Sequence, residues 1–74
     1  MKYKYDVAKG LRLVIAMSGL TLRELKEKTG IAFQTISTYQ LGKTEPRLDI
    51  INKIVTACDS DMDSFLRYAR VEGE

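Results

Sequence analysis

The chain has no histidine and no tryptophan, a single cysteine and a single proline, and no apolar run longer than Leu13 to Met17. Without histidine, the usual zinc sites and the commonest general base are missing. Cys58 alone cannot close an intramolecular disulfide, which fits a reducing cytoplasm. A run so short falls far below the roughly 20 residues that span a bilayer. Lys2 and Lys4 are not followed by the continuous apolar segment of a signal peptide. The chain is therefore expected to be cytoplasmic, without metal, cofactor or membrane contact, and not an enzyme.

What is present suits one small helical domain. A length of 74 residues leaves no room for a second core, so residues 1–74 are expected to fold as one unit, with the packed part at about 5–70. Hydrophobic residues make up 45% and charged residues 30%, the balance of a chain that folds. With six aromatics, four Tyr and two Phe, the core must be mostly aliphatic. Charge is divided unevenly. Residues 1–44 hold eight Lys/Arg against three Asp/Glu, a net of +5, and residues 45–74 hold four against seven, a net of −3. A basic half suits a polyanion, and an acidic half suits a face turned away from it.

Val7, Leu11, Val14 and Ile15 form the stripe of an amphipathic helix from about Tyr5 to Ser18, ended by Ser18-Gly19. Thr21-Leu22-Arg23-Glu24 is a capping box that starts a second helix at Leu22; it turns Leu25 inward and stops at Gly30. A third helix, Phe33 to Leu41, presents Ile36 and Tyr39 on one face and closes at Gly42. Pro46 stands at or just before a fourth helix, whose inward stripe is Leu48, Ile51, Ile54, Val55 and Cys58. Asp59, Asp61 and Asp63 load the start of a fifth helix, and Arg67 and Arg70 lie near its end, both favourable to the helix dipole. Five helices and no strand are expected. The second and third, joined by a tight glycine turn, make a helix-turn-helix. Gly30 makes the turn, Leu25 and Ile36 fill the angle, and the outward residues between Phe33 and Thr38 project from a helix that fits the major groove of DNA.

On these residues the chain resembles the Cro/CI-type, XRE-like helix-turn-helix domains of phage and bacterial repressors. The resemblance runs from about Val7 to Leu66 and rests on Gly19-Leu20-Thr21, the Gly30 turn and Gly42-Lys43-Thr44-Glu45-Pro46. It implies a compact, all-α, five-helix lambda-repressor-like fold, and a homodimer on double-stranded DNA whose third helices enter the major groove. By the same resemblance Phe33, Gln34, Thr35 and Thr38 read bases. Gln34 would pair with adenine, and Thr35 and Phe33 would touch a thymine methyl. Leu22, Arg23, Lys43 and Thr44 fall at backbone-contacting positions.

The chain departs from the family pattern at several positions. Leu22 stands where a phosphate-touching Gln is usual, Lys26 where Ala is common, and Ala32 where a hydroxyl normally caps the third helix. Ile15 and Gln40 replace a common Arg–Glu pair together, which leaves no unmatched buried charge. Leu22, Phe33 and Leu41, with Lys26 beside them, suggest an apolar rim that would fit a partner repressor protein, an alternative use of the same fold. A DNA-binding antitoxin or a restriction controller would share the domain as well.

Other signals have plainer explanations. Asp59, Asp61 and Asp63 have the spacing that opens a calcium loop, but Ser64 stands where Gly is needed and Arg70 where Glu is needed. Cys58 has no histidine to activate it and falls on the apolar stripe of the fourth helix. Lys2, Tyr3, Lys4 and Tyr5 read as a frayed terminus or as an arm that reaches DNA or a partner. Met62, Phe65, Leu66, Tyr68, Ala69 and Val71 exceed what one helix face can bury, which points to dimer contacts at Met62, Phe65, Leu66 and Tyr68 alongside a simple cap on the core.

Overall fold

Side-chain caps set the starts of the first, second and fifth helices. The computed structural model describes residues 3–72, in the order β1 (Tyr3–Tyr5), α1 (Val7–Ser18), α2 (Leu22–Thr29), α3 (Phe33–Gln40), α4 (Leu48–Ala57), α5 (Met62–Ala69) and β2 (Arg70–Glu72). Asp6 is the N-cap of α1: its Oδ1 accepts the Lys9 N–H at 3.1 Å, so the helix begins at Val7 and not at Tyr5. Asp61 does the same for α5, accepting the Ser64 N–H at 2.8 Å. Asp63 instead pairs with Arg67 at 2.8 Å one turn on, and among the described residues no cluster able to hold a metal ion is found.

The expectation of no strand is corrected by a two-stranded antiparallel ribbon. Tyr3 pairs with Glu72, Lys4 with Val71 and Tyr5 with Arg70. Asp6 secures the strand at α1, its N–H donating to the Ala69 carbonyl at 2.8 Å. The segment from Tyr3 to Tyr5 is thus neither a free arm nor frayed, while Lys2 lies outside the described residues. Three residues per strand give too short an alternation to be read as a strand, and the pairing spans almost the whole chain.

The core draws on all five helices: Leu11, Val14 and Ile15 from α1, Leu25 from α2, Ile36 from α3, Ile51, Ile54 and Val55 from α4, and Phe65 and Ala69 from α5, with Cys58 beside them. Burial of each large aliphatic side chain contributes about 1.5–3 kcal/mol. Leu48 departs from its expected place on the inward stripe, since at the first position of α4 it is 69% exposed. Phe65 is buried, Met62 and Tyr68 pack half-buried against the core, and Leu66 alone of that set is exposed. The surplus of apolar groups on α5 is taken up largely within the fold.

Candidate nucleic-acid interface

The α2–α3 unit is held at both ends of α2 by side-chain bonds. At its start the Thr21 hydroxyl accepts the Glu24 N–H at 3.1 Å, and Glu24 Oε1 accepts the Thr21 N–H at 2.8 Å, a complete capping box. The Thr21 main-chain N–H, and after it the Thr21 hydroxyl, hold the Glu24 carboxyl below its ordinary range. The amides of Leu22 and Arg23 in the same first turn have no intrahelical acceptor and face outward from the start of the helix.

At the end of α2, Gly30 takes φ 77° and its N–H donates to the Lys26 carbonyl at 2.7 Å. Thr29 completes the turn. Its buried hydroxyl donates to the Leu25 carbonyl at 2.8 Å and accepts the Ile31 N–H at 3.1 Å. Ser18-Gly19-Leu20 repeats this arrangement at the end of α1: the Ser18 hydroxyl donates to the Ile15 carbonyl at 2.6 Å and accepts the Leu20 N–H at 3.1 Å, with Gly19 at φ 75°. The sequence signal common to both is a hydroxyl–Gly–aliphatic triplet, Ser18-Gly19-Leu20 and Thr29-Gly30-Ile31.

On α3, Ile36 is fully buried and the opposite face carries Gln34, Thr38 and Leu41 at helical spacing. Gln34 is exposed, and Phe33 at the first helical position is 50% exposed. Thr35, Ser37 and Thr38 are half-buried. The Thr38 hydroxyl donates to the Thr35 carbonyl at 2.7 Å, so its hydrogen is already engaged. Ala32 caps α3 without a side-chain bond, leaving the amides of the first turn open.

The far end of α3 is closed from three directions. Gly42, at φ 76°, donates to the Tyr39 carbonyl at 3.1 Å, and Lys43 N–H donates to the Thr38 carbonyl at 3.0 Å, together a Schellman motif. From α1, Arg12 Nη1 donates to the Gln40 carbonyl at 2.6 Å, placing a cation at the negative end of the helix dipole. Ile15 and Gln40, where an Arg–Glu pair is common, make no such pair; α1 and α3 are tied instead from Arg12, one turn before Ile15, to the Gln40 main chain. Ile15 is buried in the core. Because the Gly42 and Lys43 amides are spent inside the motif, Lys43 offers only its exposed ammonium group to a ligand. The ribbon runs beside this loop, and Lys4, Tyr5, Tyr39, Gly42, Thr44 and Glu45 share one groove of about 400 Å³.

Arg23, Lys26, Lys43 and Thr44 are all exposed, and Leu22 is half-buried against the core, so the rim of the three apolar residues reduces to Phe33 and Leu41. Cys58 is buried; burial raises its thiol pKa and a hydrogen bond with the Ser18 side chain offsets part of that. That surrounding disfavours a thiolate. Among the described residues no helix is long and apolar enough to cross a membrane.

A model of the helix-turn-helix family matches residues 11–65, which takes in the core-forming part of α1, the whole α2–turn–α3 unit, α4 and the start of α5. The chain belongs to this family. It is a Cro/CI-type, XRE-like helix-turn-helix domain with an all-α, five-helix fold, and a DNA-binding transcription regulator. The family is one of regulatory domains and not of enzymes. Double-stranded DNA is the ligand that such a domain binds. No curated protein matches the chain.

Proposed function

We propose that this regulator is a repressor of the Cro kind, of phage or prophage origin, which acts in the cytoplasm of a bacterial cell or infected host. Two copies cover an operator and exclude other proteins from it, each laying α3 in the major groove of one half-site. Phe33, Gln34, Thr35 and Thr38 read base edges. Arg23, Lys43 and Thr44, with the first-turn amides of Leu22 and Arg23, hold the phosphates on either side. The observation that carries this reading is the exposed, unengaged Gln34 on the outward face of α3, with basic side chains at both ends of the α2–α3 unit. Leu66, flanked by half-buried Met62 and Tyr68, is the part of the expected dimer surface that remains accessible; Phe65 acts from the core behind it.

Selection from a random pool of duplex DNA, followed by affinity measurements across a salt series, tests the proposal. Enrichment of a two-fold symmetric site, with specific binding well above the salt-sensitive background, supports it. Weak binding that salt abolishes on every sequence would sink it.

A second reading draws on the exposure of Phe33 and Leu41 at 50% and 63%. Here the same face, with Leu22 and Lys26 at its border, binds a partner repressor and modulates it. Phe33→Ala would then abolish a protein complex while leaving weak DNA binding almost unchanged.

A further inference from the structure

The longest apolar run of the chain, Leu13 to Met17, occupies every side of the second half of α1, and the core takes only Val14 and Ile15 from it. Leu13, with Ala16 and Met17 three and four residues after it, forms a second stripe on the side of α1 turned away from the core. All three are exposed, Met17 at 68%. Single exposed apolar residues are ordinary, but a helix that is apolar on all its sides is one that is covered on all of them. The two ends of this stripe carry opposite charge. Lys9 stands one turn before Leu13 on the same side, with Arg12 close by, and together they outnumber Asp6. Beyond Met17, Asp59 and Asp61 share a groove with Met17 and Tyr68, and they outnumber Lys28, which lies on the far side of Asp59. Among the described residues neither Lys9 nor either carboxylate is in an ion pair.

We infer that this side of α1 is a self-association surface whose occupant is a second copy of the chain, laid antiparallel across a two-fold axis that passes between Leu13 and Met17. An isologous contact needs a surface that complements itself. Lys9 and Met17 are two turns apart, about 12 Å, so antiparallel α1 helices set Lys9 of each copy beside Asp59 and Asp61 of the other, while Leu13, Ala16 and Met17 meet in the middle. A partner of one charge sign would match only one end of the stripe. The stripe is small beside the roughly 800 Å² per partner of a stable interface, so the association is weak and salt-sensitive. It is distinct from the surface at Leu66, which lies two residues from Tyr68 on the other side of α5, in a groove with Tyr5. It does not depend on how α3 meets DNA.

Sedimentation equilibrium of the full chain without DNA, over a concentration series at low and high salt, tests the inference. The weight-average mass is expected to climb above 8.4 kDa toward twice that value and no further, and to climb less in high salt. Met17→Glu is expected to weaken association about ten-fold or more, because it sets a charge in the apolar centre of the contact. Met17 is too exposed to support the fold, and a thermal melt checks that each variant is folded. Lys9→Glu is expected to weaken association, Asp59→Lys added to it to restore part, and Leu66→Glu to leave it unchanged. A chain that stays monomeric at every concentration, growth past the dimer, association that survives Met17→Glu, a Lys9→Glu defect that Asp59→Lys does not relieve, or a loss confined to Leu66→Glu would each overturn the inference. A monomeric chain that captures a different protein through Met17 would overturn it too, and would assign the stripe to that partner.

Discussion

Gly10 of α1 lies so close to Ala69 of α5 that a β-carbon at position 10 would stand 2.7 Å from the Ala69 Cβ and 2.8 Å from Phe65 Cε1. Real β-carbons do not approach that closely, so the α1–α5 crossing depends on the missing side chain. Overpacking costs about 1–3 kcal/mol, against about 0.5–1 kcal/mol gained by removing a glycine from a helix. Gly10→Ala is therefore expected to lower the urea midpoint with an unchanged slope, and adding Ala69→Gly to restore part of it. A single variant as stable as wild type would show that the crossing adjusts freely.

Thr29 is a second point where one group holds two elements in place. Thr29→Val keeps the shape and loses both hydroxyl bonds, leaving the half-buried Ile31 N–H without its acceptor. A loss of about 1–3 kcal/mol is expected in chemical denaturation. An effect within experimental scatter would mean that water satisfies the turn.

The start of α3 is open to improvement. Ala32 stands at the N-cap with φ −57° and ψ 139°, but has no side chain to accept an amide. Ala32→Ser is expected to raise stability by about 0.5–2 kcal/mol, seen as a higher melting temperature. An unchanged or lower value would contradict this account of the cap.

Glu24 and Asp61 link stability to pH. Both carboxyls are held below their ordinary values of 4.5 and 3.8, Glu24 first by the Thr21 main-chain N–H and Asp61 first by the Ser64 main-chain N–H. A carboxyl with a lowered folded-state pKa binds fewer protons folded than unfolded. It adds stability that is fully present above the ordinary value and is lost as pH falls through the lower, folded one. Denaturation across an acid pH series should show a shallower decline in Asp61→Asn, which still caps α5 but does not titrate. An identical slope in wild type and variant would remove Asp61 from the acid response.

Much of this fold was legible in the sequence because its signals are local. The Thr21–Glu24 box, the left-handed glycines at 19, 30 and 42, and the acidic start of α5 each act within a few residues, and each stands where it was read. The features that were missed depend on distance along the chain. The ribbon joins Tyr3–Tyr5 to Arg70–Glu72, the Gly10 crossing meets Ala69, and Arg12 bonds to Gln40. None leaves a periodic trace. Leu48 was misplaced for a related reason: it fits the α4 stripe by spacing, but a first-turn position projects past the edge of the core. At the interface, sequence could propose which side chains face outward on α3, while the engagement of the Thr38 hydroxyl and the Lys43 amide became visible only with the fold.

The most direct measurement for the central claim is the affinity of wild type and Gln34→Ala for the enriched duplex and for its single base-pair variants at fixed salt. The account predicts a loss of roughly 1–3 kcal/mol on the enriched site, with preference relaxed at one base pair and retained at the others. Equal weakening on every sequence, or no loss at all, would contradict the claim that α3 reads DNA through Gln34.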